Sequence, residues 1–116
     1  MGIKLNIISV IDAETTPEDY IDEIISLNPT KILFIDAADF GGKPGEARVI
    51  PRESISDFTL STHSFPLGAV CELIKQSVQV EIVFIGIQAK SCGFGAGISK
   101  EVMGAAREII RELYFY

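Results

Sequence analysis

The chain has no long apolar run, only two cysteines, a single histidine and a shortage of positive charge. No apolar stretch approaches the roughly 18 residues that a membrane-spanning helix needs, which excludes membrane insertion through such a helix. Lys4 is followed by a short mixed run, too short and too polar for a secretory signal. Ten basic residues stand against sixteen acidic ones, for a net charge of −6. Nucleic acid is therefore a poor partner, because phosphate neutralisation needs clustered Lys and Arg. Cys71 and Cys92 fit reduced thiols in a reducing cytoplasm. There is no repeat, low-complexity stretch or linker, so residues 1–116 read as one domain. With 47% apolar and 22% charged residues, the composition is one that folds. The length suffices to bury a core without disulfide or metal staples.

What is present is an alternation of strands and helices. Residues 3–11 are apolar at Ile3, Leu5 and Ile7 and then nearly continuous through Ile11, which predicts a strand more buried toward its end. Thr16 is the expected cap of a helix that begins at Pro17, carries Tyr20, Ile21, Ile24 and Ile25 on one face, and stops at Asn28-Pro29. Residues 31–36 and 81–87 contain the uninterrupted apolar runs Ile32–Ile35 and Ile82–Ile85, as parallel strands buried on both faces do. Between them, residues 47–50 predict a short, antiparallel edge strand ended by Pro51. Residues 64–76 predict a helix with Pro66 in its first turn and Leu67, Val70, Leu73 and Ile74 inward; Cys71 reads as core. Ser99 caps a last helix with Val102, Ala106, Ile109, Ile110 and Leu113 on its apolar side. The order predicts an α/β fold, a three-layer α/β/α sandwich around a short, mostly parallel sheet of about four strands.

Open α/β sheets bind ligands beyond the carboxyl ends of their strands. That rule selects Asp36, Asp39, His63, Gln88, and Asp12 with Glu14. Asp36 and His63 form a carboxylate–imidazole pair of the kind that binds a borderline divalent metal or transfers protons. The structural alternative for Asp36 is a turn-former bonding the amides of Ala38 and Asp39; for His63 it is a helix cap. Asp39, in Asp-Phe-Gly-Gly, reads first as turn chemistry, and Gln88 as a group satisfying backbone at a strand end. The glycine-rich stretch 41–45 lacks a Gly-Lys-Ser/Thr ending and leads into a strand, so it is not a phosphate loop. A Cys92–His63 nucleophile and base is a further, weaker reading.

Three segments taken together resemble one family. Phe34-Ile-Asp-Ala-Ala-Asp-Phe-Gly-Gly-Lys-Pro-Gly-Glu46 is similar to the Asp-Ala-x-Asp-x-Gly…Pro-Gly segment of the NiFe-hydrogenase maturation endopeptidases. Ser61-Thr-His-Ser-Phe-Pro-Leu67 resembles their Thr-His-x-x-Pro-Leu segment, and Phe84-Ile-Gly-Ile-Gln88 their Gly-Ile-Gln strand end. The likeness is greatest to the branch serving the formate-lyase-type hydrogenase and covers nearly the whole chain. It implies a cytoplasmic endopeptidase that removes a C-terminal extension from the hydrogenase large-subunit precursor after nickel insertion. The nickel arrives with the substrate. The resemblance assigns Asp36 and His63 to the catalytic, metal-facing positions. A third family carboxylate, in an N-terminal Gly-Asn…Asp-Asp-Gly-like loop, has no counterpart here, and residues 3–12 correspond to the family's second strand. The expectation is thus a domain N-terminally truncated relative to the family, prone to self-association through an open sheet edge. Asp12 or Glu14 stands as a substitute oxygen donor. A non-catalytic module that docks the large subunit is the alternative function.

Overall fold

The computed structural model describes residues 9–12, 16–59, 66–90 and 100–115. A 3-10 turn, Pro17–Tyr20, runs into helix α1, Ile21–Ser26. Strand β1, Lys31–Ala38, leads through a glycine-containing loop to β2, Ala47–Val49. A second 3-10 turn, Arg52–Ser54, continues as the single-turn helix α2, Ile55–Phe58. Helix α3 is Leu67–Ser77, strand β3 is Glu81–Gln88, and helix α4 is Lys100–Phe115.

The described sheet has three strands in the order β1-β3-β2. β1 and β3 are parallel, in register from Lys31–Glu81 to Ala38–Gln88. β2 is antiparallel to β3, with Arg48 opposite Gly86, as expected of the short edge strand. The fold is α/β, the class read from the sequence. Residues 3–8 of the expected first strand lie outside the described residues, and residues 9–11 belong to no strand.

Phe34 and Phe84 are register partners whose rings stack with centroids 6.5 Å apart. Residues two apart on a strand share a face. Phe34, Asp36 and Ala38 therefore stand on one face with Phe84, Gly86 and Gln88. The main core cluster lies there: Ala38, Ile50, Ile55, Leu67 and Phe84, with Phe34, Phe40 and Phe58 packed against it. Helix α3 buries Leu67, Val70, Cys71 and Ile74, a stripe at i, i+3, i+4 and i+7. Cys71 is thus core, as read, but Leu73 is 42% exposed, which corrects its inward assignment. Leu73 sits one residue before Ile74, about 100° around the helix, and so turns off the stripe. Helix α1 contacts α3, and α4 contacts β3. On α4, Val102 is buried and Ala106, Ile109 and Ile110 are half-buried, close to the expected apolar side.

Two local expectations need correction. The Thr16 side chain caps nothing. The first turn is 3-10, so the Asp19 amide bonds the Thr16 carbonyl at 3.0 Å and the backbone replaces the hydroxyl. Residues 52–58, which carry no expected element, are helical, and they deliver Ile55 and Phe58 to the core.

Gly86 has a packing reason. A Cβ there would meet Ile50 Cδ1 at 2.3 Å and Ala38 Cβ at 2.8 Å. Its missing side chain is the space into which Ile50 packs.

Candidate active site at the carboxyl ends of the parallel strands

Asp36 lies inside β1, half-buried, on the face covered by α3, opposite Gly86. Its Oδ1 accepts from the Ala37 amide at 2.8 Å. The turn-former alternative fails: Asp36 is in a strand, and the Asp39 amide donates to the Phe58 carbonyl at 2.8 Å instead. The cause is tertiary, since residues 58 and 59 extend the pairing of β1 where a turn would have used local side chains. Thr59 forms an antiparallel bridge with Ala38.

Asp39 follows, exposed, at the start of the loop. Its Oδ1 accepts from the Gly41 amide at 3.3 Å and from Gln88 Nε2 at 3.1 Å. This agrees with turn chemistry, with the addition of a long-range partner. Gln88 is 4% exposed, and its side chain is fully engaged. Oε1 accepts from the Phe40 amide at 2.9 Å and the Gly42 amide at 3.1 Å, while Nε2 donates to Asp39 and to the Ala89 carbonyl, each at 3.1 Å. The strand-end role read for Gln88 therefore holds, and the backbone it satisfies belongs to the loop after β1.

The rest of that loop is fixed by its own chemistry. Gly41 and Gly45 have φ of +77° and +88°, where a side chain is disfavoured. Arg48 lies over the Phe40 ring, 4.4 Å from its centroid, and pairs with Glu46 at 2.9 Å. These two contacts escaped the sequence reading, because alternation in a three-residue strand does not say which loop side chain an arginine will cover. The loop enters β2, as expected for a segment that is not a phosphate loop.

Asp12 is exposed. Glu14, His63 and Cys92 lie outside the described residues. Thr59 bridges Ala38, and Leu67 packs in the same cluster as Ala38, two residues beyond Asp36. Among the described residues, no group of three or more His, Cys, Asp or Glu side chains is set to hold a metal. A cavity of about 210 Å³ lined by Phe34, Ile50, Arg52, Ile55, Cys71 and Lys75 contains neither Asp36 nor any residue of the 39–45 loop. Burial pushes the Cys71 thiol above its ordinary range, partly offset by the positive charges of Arg52 and Lys75.

This strand-end carboxylate, with its glycine loop and anchoring glutamine, is carried on a backbone that has solved relatives. The model of the hydrogenase maturation protease family matches residues 3–114. The chain belongs to that family. It is 34% identical over 105 residues to the hydrogenase 3 maturation protease of Escherichia coli strain K12, an alignment covering 90% of this chain and 67% of the relative. The solution structure of the endopeptidase HycI from Escherichia coli superposes with a TM-score of 0.70 at 32% identity, covering 89% of this chain and 66% of that one. The NiFe hydrogenase maturation protease HycI from Thermococcus kodakarensis KOD1 gives 0.65 at 31% identity, covering 86% and 66%. The chain thus spans about two thirds of the length of these relatives. Family membership puts it among the peptidases, the enzyme class the sequence motifs imply. No helix of the described residues is long and apolar enough to cross a membrane.

Proposed function

We propose that the protein is a cytoplasmic endopeptidase that cuts the C-terminal extension from a NiFe-hydrogenase large-subunit precursor. In this reading nickel is part of the substrate, and Asp36 and His63 face it. The observation that carries the reading is the position of Asp36. It is a half-buried carboxylate at the carboxyl end of a parallel strand, where open α/β sheets place their chemistry. His63 lies in the sequence between Thr59, which bridges Ala38, and Leu67, which belongs to the same core cluster as Ala38, and this supports it as the partner of Asp36. An oxygen and a nitrogen donor suit nickel. Held there, the substrate's metal would polarise the scissile carbonyl or a water molecule, and Asp36 is the available base.

The test is incubation with nickel-loaded precursor, followed by mass spectrometry. The expected result is loss of a mass equal to the C-terminal extension, abolished by Asp36→Ala and by His63→Ala. Binding without cleavage, unchanged in Asp36→Ala, would replace the protease reading with that of a docking module.

A further inference from the structure

Gln88 makes four side-chain hydrogen bonds at the end of β3, and nothing in the proposed chemistry uses it. It stands on the same face as Asp36, one step further along the register, because Asp36 pairs with Gly86 and Ala38 with Gln88. All four of its side-chain bonds run to residues 39, 40, 42 and 89. Three of those bonds span more than forty residues of sequence and converge on one exposed loop. A buried primary amide supplies two acceptor sites and two donors, and here each is used. The pattern is specific to an amide. A carboxylate would keep the acceptors and lose the donors, and an apolar side chain of similar shape would lose both.

We propose that Gln88 is a positioning residue for the proteolytic site. Its amide holds loop 39–42, and with it the Asp39 carboxylate, just beyond the carboxyl end of β1, the strand that carries Asp36. The Oε1 contacts fix the backbone at Phe40 and Gly42. The Nε2 contact, at 3.1 Å, adds a long-range hold on the Asp39 side chain to its longer local bond from the Gly41 amide at 3.3 Å. Loop 39–42 is thereby tied to the central strand of the described sheet. A one-ångström displacement at such a site is enough to slow a reaction about a hundredfold.

The role of Gln88 in cleavage rests on the protease reading above, whereas its hold on the loop does not, so the experiment has two arms. The first is amide hydrogen exchange on the full chain. Gln88→Met should speed exchange at Phe40 and Gly42 at least tenfold relative to core amides of β3. Gln88→Glu, which keeps the acceptors, should leave those two amides within about threefold of the parent. Equal protection in all three proteins would overturn the proposal outright. The second arm is cleavage of nickel-loaded precursor well below each variant's melting temperature. Both variants should lose at least tenfold in kcat with little change in KM, because each loses the donor to Asp39. Full activity in Gln88→Glu would refute the part assigned to Asp39. If the parent does not cleave while the exchange pattern appears as stated, the protease reading fails and the hold on the loop stands.

Discussion

Gly86→Ala tests the packing around the site most directly. The new methyl would sit 2.3 Å from Ile50 Cδ1, 3.2 Å from Ile50 Cγ1 and 2.8 Å from Ala38 Cβ. The first two contacts can be relieved by a rotamer change in Ile50, though Ile50 is 3% exposed and has little room to turn. The third cannot, because Ala38 has no rotamer and its backbone is fixed by the ladder to β3. Overpacking of this kind costs about 1–3 kcal/mol. The reduced freedom of the unfolded chain returns about 0.4–1 kcal/mol. The mid-range values of these two terms leave a net loss of about 1.3 kcal/mol. It should appear as a lower urea midpoint at constant m-value. Ile50→Val removes the Cδ1 atom and should by itself cost about 0.5–1.5 kcal/mol. In Gly86→Ala/Ile50→Val the two losses should sum to less than their separate values, by an interaction energy of about 0.5 kcal/mol or more. Because Gly86 pairs with Asp36, the single variant should also impair cleavage more than its stability loss explains. Unchanged or raised stability in Gly86→Ala would refute the close approach of β1, β3 and Ile50.

Other substitutions follow from the same coordinates. Gly104→Ala, exposed inside α4 with open space around it, should stabilise by about 0.5–1 kcal/mol, whereas Gly41→Ala, at φ +77°, should destabilise by roughly 1 kcal/mol despite equally open space; paired melting curves distinguish the signs. Ile74→Ala removes a fully buried side chain of α3 and should cost about 2–5 kcal/mol in urea unfolding. Cys71 should resist alkylation in the native protein at neutral pH and react on unfolding, because burial disfavours its thiolate. Since its thiol titrates higher when folded than its ordinary 9.0, its contribution to stability is complete below that pH and is lost as pH rises through the folded value. Stability in the parent should therefore fall more steeply above pH 9 than in Cys71→Ala, and parallel curves would contradict the burial.

Much of this fold is legible because an unbroken apolar run marks a strand, although Ile32–Ile35 are only half-buried among the described residues and the expected burial on both faces is not met. The apolar runs at 32–35 and 82–85 are the two strands of the parallel ladder, and Pro51 follows the edge strand that the spacing suggests. Residues 52–58 are not legible, since a segment with only Ile55 and Phe58 to bury shows no periodicity within two short turns. Leu73 misleads because side-chain type says what a residue prefers and not where the stripe of its helix points. At the candidate site, the position of Asp36 near the carboxyl end of β1 follows from the apolar run before it. The bonds of Gln88 do not, because partners more than forty positions away leave no local pattern.

The central position of β3 has a consequence for biosynthesis. Lys31 pairs with Glu81, so β1 waits for about fifty further residues before its ladder to β3 can close, and such long-range parallel pairing is slow to form. At about 5–20 residues per second, that is a delay of several seconds for a nascent chain. Through that interval Ile32, Leu33, Phe34 and Ile35 lack the partner strand that later covers them. The strand that carries Asp36 thus stays without its sheet partner until β3 has been made.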